Sequence, residues 1–525
     1  READCEASHP MQYFFPSTPQ QGLSADFRNV LDASADAGHG AYLGHSERGW
    51  CFARPEQSVM ILGPPRSGKT SSLIIPNVMA SNGPVVSTST KPDVLDATVN
   101  ARAQLGDCLL FDPTESVGRS AGLLPLRWSP LQSCTKWLPA LSMARSLVEV
   151  GAGSGGRVLA RGDGSHWTER AQALMAPLLH AAAIGGADMR TLLTWVDRRQ
   201  AVPAQRILAA EPGRSTELAR NLLDGIVATD ERELSGIWST ASGSLTGFRT
   251  DQSLDATADP DFDPAHFVLS ADTIYIAAPA HRQAMVAPMV VGLIDDVRQA
   301  AYLRNAEELR GSASRPPVLL ALDEVANIAP IPDFPSMISE GGGQGLVTLA
   351  CLQDLSQARS RWPDHADGFP SLFGTTVVLP GIGDVRTLEA LSTLAGDEEI
   401  PTRTVSAGRM STDHLLADLV AGGRLQRGES VSTQWRRLLP PDVITRGAVG
   451  HALAFDERNR PAWVPLTPFY AREPWRTLCG AGRSVERRAG RSVGATVRPG
   501  VGDDLGDRQL RRAADVTRDG RGMGR

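Results

Sequence analysis

The chain has 525 residues, of which 42% are hydrophobic, 21% charged and 5% aromatic, with a formal net charge of −6. These are the values of a globular protein with room for two to four domains, and they exclude an overall basic footprint for nucleic acid. The charge is uneven: residues 481–525 hold 11 arginines against 6 acidic residues, a net of +5 that leaves the rest at −11. Lys69, Lys91 and Lys136 are the three lysines among 53 basic residues, the bias of a GC-rich genome. The six cysteines, Cys5, Cys51, Cys108, Cys134, Cys351 and Cys479, are scattered. They form no C-x-x-C pair, so neither a zinc site nor a disulfide framework is signalled and a reduced, cytosolic compartment fits. No apolar run reaches 18 residues, and no signal-peptide pattern is present. The chain opens on Arg1 rather than methionine, which leaves room for an upstream segment, a membrane anchor included.

In chain order, residues 1–45 are polar and are expected to form a loosely structured lead-in. Ala41–Phe52 reads as a small hairpin. Val59–Leu62 is a short apolar run ending at a glycine, the pattern of a buried strand. Gly63, Pro64, Pro65, Arg66, Ser67, Gly68, Lys69 and Thr70 then match G-x-x-x-x-G-K-[ST]. A helix from about Thr70 is expected to bend or end at Pro76. Pro84–Thr88 and Asp107–Phe111 read as further strands, and the strand–helix alternation predicts a parallel sheet.

From about Trp128 to Phe248 the period changes. Apolar residues recur at helical spacing, as in Ala171, Leu174, Met175, Leu178 and Leu179, which predicts an inserted all-helical domain at 128–250. Thr273–Pro279, Pro317–Leu322, Gly345–Cys351 and Thr375–Leu379 resume the sheet, with a helix of about Gln283–Asn305 after the first. Gly450–Phe455 is read as the last strand. From Arg476 onward Arg, Gly and Asp dominate, and this segment cannot bury enough apolar surface to order itself. The expected fold is α/β, an NTPase domain in two parts, 46–127 and 251–475, split by the helical insertion and followed by a disordered tail at 476–525.

The chemistry is concentrated at three places. In the glycine loop, backbone N–H groups nest around a phosphate and the following helix adds its positive end. Lys69 reaches the terminal phosphates of ATP and Thr70 holds Mg²⁺ through its hydroxyl. The second place is Val318–Leu322 followed by Asp323-Glu324. There Asp323 would join the Mg²⁺ shell and Glu324 would polarise the attacking water as general base, unless the pair merely caps the next helix. The third is Gln353 at the end of the next strand, either an amide that senses the γ-phosphate or, with Asp354, a helix cap.

With these residues assembled, the chain resembles the TraG/TraD-like coupling proteins of type IV secretion, the conjugative DNA-transfer ATPases. The resemblance rests on Gly63 to Thr70, on Ser89-Thr90-Lys91-Pro92-Asp93, and on His166-Trp167 ahead of a long helix. It continues with Leu322-Asp323-Glu324-Val325-Ala326-Asn327-Ile328-Ala329-Pro330-Ile331-Pro332, with Leu352-Gln353-Asp354-Leu355-Ser356-Gln357-Ala358 and with Trp362. It covers about residues 41–470. It implies a RecA-like motor with an all-α insertion, a homohexameric ring hydrolysing ATP at its subunit boundaries, and recruitment of relaxase-bound single-stranded DNA, or a protein substrate, to the secretion channel. The insertion would contact the transfer substrate. It also implies a place at the cytoplasmic face of the membrane through an N-terminal anchor, which this stretch lacks. Many such proteins carry a Gly-Arg pair where this chain reads Gly341-Gly342-Gly343-Gln344-Gly345. Arg359, Arg361 and Arg386 are then the nearest candidates for the arginine that the next subunit of such a ring would supply, against a plain surface role.

Other signals are weaker. Gly151-x-Gly153-x-x-Gly156 satisfies the dinucleotide pattern, but no helix pattern follows it. His166 and His281 read as caps or surface residues. Two alternative functions share the core motifs. A double-stranded-DNA pump of the FtsK/HerA type would want a DNA-reading module after the motor, and a non-hydrolysing docking platform would not need Lys69, Thr70, Asp323 and Glu324 together.

Overall fold

Strands that are apolar at every position must be covered on both faces, and that demand sets the architecture. The computed structural model describes residues 23–47, 49–117, 123–153, 163–309, 315–366, 368–406 and 428–480. The first elements are α1 (Ala25–Asp36), β1 (Tyr42–Ser46), β2 (Gly49–Phe52) and β3 (Val59–Leu62). A π-helical turn, Thr70–Ile74, leads into α2 (Ile75–Ala80), followed by β4 (Val85–Ser89), α3 (Asp93–Arg102), β5 (Cys108–Phe111) and β6 (Leu124–Pro125). Helices then fill the chain: α4 (Trp137–Gly153), α5 (Asp163–Ile184), α6 (Met189–Asp197), α7 (Val202–Ala210), α8 (Arg214–Val227), α9 (Glu231–Ser244), α10 (Asp251–Asp255) and α11 (Pro264–Phe267).

The sheet resumes with β7 (Thr273–Ala277), α12 (Gln283–Glu308), β8 (Val318–Leu322), α13 (Val325–Ile328), α14 (Phe334–Gly341), β9 (Leu346–Leu352), α15 (Leu355–Arg361), β10 (Thr375–Val378) and α16 (Val385–Ala395). Last come β11 (Asp397–Ser406), β12 (Gly428–Arg437), α17 (Pro441–Arg446), β13 (His451–Phe455), β14 (Pro461–Pro465) and α18 (Trp475–Leu478).

Among the described residues the main sheet has ten strands in the order β14-β13-β10-β3-β9-β8-β4-β7-β5-β6. Every neighbouring pair from β10 to β6 is parallel, and β13 and β14 close one side antiparallel. All residues of β3, β4, β7, β8, β9 and β10 are buried. The carboxyl ends of the parallel strands therefore share one edge, where loops of an α/β sheet gather their functional groups.

Three expectations need correction, and one ribbon carries no sequence signal. The lead-in is not loose throughout, because α1 lies in it. Ser24 Oγ accepts the Phe27 N–H at 3.2 Å as an N-cap, and Phe27, Val30 and Leu31 are buried at i, i+3 and i+4. The polar residues between them hide the stripe. Gly450–Phe455 is not the last strand, since β14 pairs antiparallel with β13; prolines at both its ends suit an edge strand and mask its pattern. The β11–β12 ribbon went unread because it has no apolar alternation and contains Pro401. Order also runs past Arg476: α18 reaches Leu478, and Leu478 and Cys479 are both buried. Residues 481–525 of the expected tail, and Gly156 of the second glycine motif, lie outside the described residues; Gly151 and Gly153 are part of α4.

The helices between β6 and β7 join the sheet through α4, which packs on α12. The five residues whose spacing predicts the long helix, Ala171 to Leu179, are buried in α5. Polar anchors fix this seam. Trp128 Nε1 donates to Asp296 Oδ2 at 2.8 Å and Ser142 Oγ donates to Asp295 Oδ2 at 2.7 Å. Arg298 bridges Asp295 and Asp333. Among the described residues no helix is long and apolar enough to cross a membrane.

Burial pushes the Asp296 carboxyl up to about 7, opposed by its hydrogen bond from Trp128. The native state thus holds this proton where the unfolded chain has released it. The stability it contributes is full at acid pH and falls as pH rises from the ordinary carboxylate range to about 7. Asp296→Asn should flatten that fall. The melting temperature of the variant should drop less than that of the wild type between about pH 5 and about pH 8; parallel curves would refute the assignment.

Candidate functional site

The site is built at the carboxyl ends of β3, β9 and β8, which lie side by side in that order. Gly63 leaves β3 and its N–H donates to Leu352 O at 3.1 Å, so the loop starts against the end of β9. A Cβ at Gly63 would stand 2.6 Å from Ser67 Oγ and 3.0 Å from Leu379 Cβ, so a larger residue there would have to displace both side chains. The loop then turns through Pro64–Ser67, where Ser67 N–H donates to Pro64 O at 3.2 Å. Lys69 is 8% exposed, and its ammonium donates to Gly63 O at 2.5 Å and Pro64 O at 3.0 Å. A buried cation bonded to two neutral carbonyls is a group suited to an anion. Ser67 Oγ is buried without a partner among the described residues.

Thr70 Oγ1 donates to Asp323 Oδ2 at 2.7 Å, joining the loop to the end of β8. Asp323 is 7% exposed, and Thr88 Oγ1 on β4 donates to its backbone carbonyl at 3.4 Å. Burial pushes its carboxyl up, while the Thr70 hydrogen bond and the Lys69 charge pull it down and Glu324 raises it again. A hydroxyl beside a buried carboxylate is the oxygen-donor set that suits Mg²⁺.

Glu324 is half-buried and adopts the left-handed region, φ 59° and ψ 50°, at the start of α13. Its side chain makes no capping hydrogen bond to that helix, so the capping alternative for the acidic pair does not hold for Glu324. At the end of β9, Asp354 caps α15 by accepting the Ser356 N–H at 2.8 Å, while Gln353 donates its own backbone N–H to Gln357 Oε1 at 2.8 Å. The cap is Asp354, and the Gln353 amide is not used for it.

The structure thus brings Lys69, Thr70, Asp323, Glu324 and Gln353 to one edge of three adjacent strands. It adds a wall that sequence reasoning missed. The loop after β10 packs on the phosphate loop through Leu379, whose N–H donates to Leu62 O at 2.8 Å, and through Gly381 against Pro64. The signal was the Pro380-Gly381 dipeptide, a turn marker directly after a strand. Of the three candidate arginines, Arg359 pairs with Asp384, Arg361 is half-buried and Arg386 is exposed. His166 sits on α5, 3.3 Å from Glu233, and His281 is exposed ahead of α12.

A buried, mostly parallel sheet with a glycine loop and helix on a central strand, and an Asp-Glu pair two strands away, defines a RecA-like P-loop NTPase fold. The type IV secretory system conjugative DNA transfer family matches residues 23–448, and the chain belongs to that family. It is 22% identical over 390 residues to protein VirD4 of Agrobacterium fabrum, a match covering 71% of this chain and 54% of VirD4. The chain therefore spans about half the length of that curated relative. Among solved structures, the unbound bacterial conjugative coupling protein TrwBdeltaN70 has a TM-score of 0.56 at 17% identity, over 79% of this chain and 85% of that one. TrwB in complex with ADP and Mg²⁺ has a TM-score of 0.55 at 16% identity, over 79% of this chain and 86% of that one. These likenesses establish the fold.

The Gly63 contacts generate a direct test. Gly63→Ala forces a methyl into Ser67 and Leu379, and should cost about 1–3 kcal/mol of stability, read as a lower urea midpoint. An unchanged midpoint would show that the loop yields at no cost.

Proposed function

We propose that this chain is the motor of a coupling protein, binding ATP with Mg²⁺ at Gly63–Thr70 and hydrolysing it. Turnover drives a relaxase-bound single strand of DNA, or a protein substrate, into a type IV secretion channel. The observation that carries this reading is the Thr70–Asp323 hydrogen bond, with the uncapping carboxylate of Glu324 beside it. A platform that only binds nucleotide has no need of that second acid. The nucleotide complexes of TrwB, with ADP and Mg²⁺ and with non-hydrolysable GTP and ATP analogues, support the choice of ligand.

In this reading Lys69 exchanges its two carbonyl partners for the β/γ-phosphates. Thr70 and Asp323 hold the metal, which when bound neutralises phosphate charge. Glu324 takes the proton of the attacking water, and Gln353 hydrogen-bonds the γ-phosphate or that water. The helices within 128–250 form the substrate-contacting insertion, and a homohexamer at the cytoplasmic face of the membrane is the working unit.

Lys69→Ala should abolish hydrolysis and weaken ATP binding together, because the buried phosphate charge loses its partner. Glu324→Gln should bind ATP as the wild type does and lose turnover by about a hundredfold or more, since only the proton-accepting step is removed. Hydrolysis by Glu324→Gln at the wild-type rate would make the base assignment wrong.

Single-stranded DNA should raise the hydrolysis rate, and duplex DNA should raise it less. Steady-state assays over a range of salt check this, since a purely electrostatic effect would vanish as salt rises. A rate indifferent to DNA at every salt concentration would remove the motor reading, and stronger stimulation by duplex would favour the double-stranded pump.

A further inference from the structure

Arg66 occupies a place in the phosphate loop that its backbone reserves for another residue type. Ser67 N–H donates to Pro64 O at 3.2 Å, closing a four-residue turn over Pro64–Ser67. Pro65 at its second position cannot take a positive φ, while Arg66 at the third has φ 67°. That combination is a type II turn, which calls for glycine or asparagine at the third position. A residue with a Cβ, arginine included, is disfavoured in this conformation. The Arg66 side chain does not repay the strain within the fold. It is exposed, and it has neither an ion pair nor a hydrogen bond among the described residues.

Arg66 is the one exposed cation within the loop itself, while Lys91 beyond β4 and Arg386 at the start of α16 are exposed outside it. The Gly341–Gly345 stretch carries none and precedes β9, so it lies at the opposite, amino edge of the sheet. Arg359 is held by Asp384. Lys69 is the one lysine of the loop, and it is buried at its base.

We infer that Arg66 is a catalytic residue that swings onto the terminal phosphate of the nucleotide bound in its own loop. Its planar guanidinium supplies charge in the transition state that the glycine-rich stretch before β9 does not. This rests on the reading of the loop as an ATP site. Phosphate oxygens accept paired N–H groups from a guanidinium, and that contact strengthens as charge develops on them. The strain at the turn is then the cost of placing a flexible cation three residues ahead of Lys69.

The test is Arg66→Gly, because glycine suits the turn better than arginine does. Stability and activity should move in opposite senses. The melting temperature should stay equal or rise, ADP affinity should stay within about twofold, and kcat should fall at least about tenfold. The preference for ATP over ADP, read by titration with a fluorescent nucleotide analogue as competitor, should shrink at least about fivefold. Arg66→Lys keeps both the charge and the strain, and should retain more kcat than Arg66→Gly.

An unchanged kcat and an unchanged ATP preference would overturn the inference. So would a kcat that falls only together with the melting temperature, the mark of a structural role. Should the wild type bind ATP without turning it over, hydrolysis as the function fails, while the ATP-over-ADP preference still decides Arg66. A wild type that does not bind ATP overturns both.

Discussion

The hydrogen bond from Thr70 to Asp323 joins residues 253 apart in the chain, and the site exists only where it can form. It requires β3, β9 and β8 to lie side by side, all parallel, in the register that sets Val59 against Leu349 and Leu322 against Ala350. A slip of one residue would turn alternate side chains to the other face and carry Asp323 away from the loop. The bond also settles an energetic debt within the fold. Asp323 is nearly fully buried, and a buried carboxylate stripped of its partners costs about 3–5 kcal/mol. Thr70 and the nearby Lys69 charge offset that cost, so packing and function select the same arrangement.

The features legible in the sequence are those with a short-range physical signature. The phosphate loop shows because tight backbone curvature needs glycines at fixed spacing. The central strands show because residues covered on both faces read as short runs of apolar and β-branched residues, and β3, β4, β7, β8, β9 and β10 all fall within a residue or two of where Val59, Pro84, Thr273, Pro317, Gly345 and Thr375 place them. What stayed hidden depends on partners far along the chain. Helix α1 looks polar until its narrow stripe of Phe27, Val30 and Leu31 packs beside α2. Strand β14 is carried by its pairing to β13, since its prolines argue against it locally. The wall formed by Leu379 and Gly381 is visible as a turn, but its contact with Pro64 comes from β10 pairing beside β3. The left-handed backbone at Glu324 and Arg66 has no local sequence signal, because neither residue type favours it.

Helix α12 ties the two edges of the sheet to the helical region. It begins just after β7, where Arg282 donates to Thr114 O at 2.8 Å in the loop beyond β5. It ends at the amino edge, where Arg304 donates to Pro316 O and Gly345 O, both at 3.3 Å. Midway it carries Asp295 and Asp296, which hold Ser142 and Trp128. Pro288 removes one ladder hydrogen bond of this helix between the carboxyl edge and the α4 seam. Two adjacent buried acids are a costly way to hold a helix pair. Their hydrogen bonds hold α12 to Ser142 on α4 and to Trp128 ahead of it, a rotation that apolar packing alone would leave less defined.

The amino edge accounts for the missing arginine near Gly341–Gly345. A Cβ at Gly342 would lie 1.8 Å from Glu56 O, in the segment leading into β3. Gly345 takes φ 73° and presents its carbonyl to Arg304 and to Val318 N–H. Asn305 donates to Gly343 O at 2.9 Å. The stretch is therefore a backbone knot that fastens the end of α12 and the starts of β8 and β9 to the residues before the phosphate-loop strand. Side chains at Gly342 and Gly345 would break it, one by collision and the other by backbone strain. In this chain that edge is given to holding the strands in register.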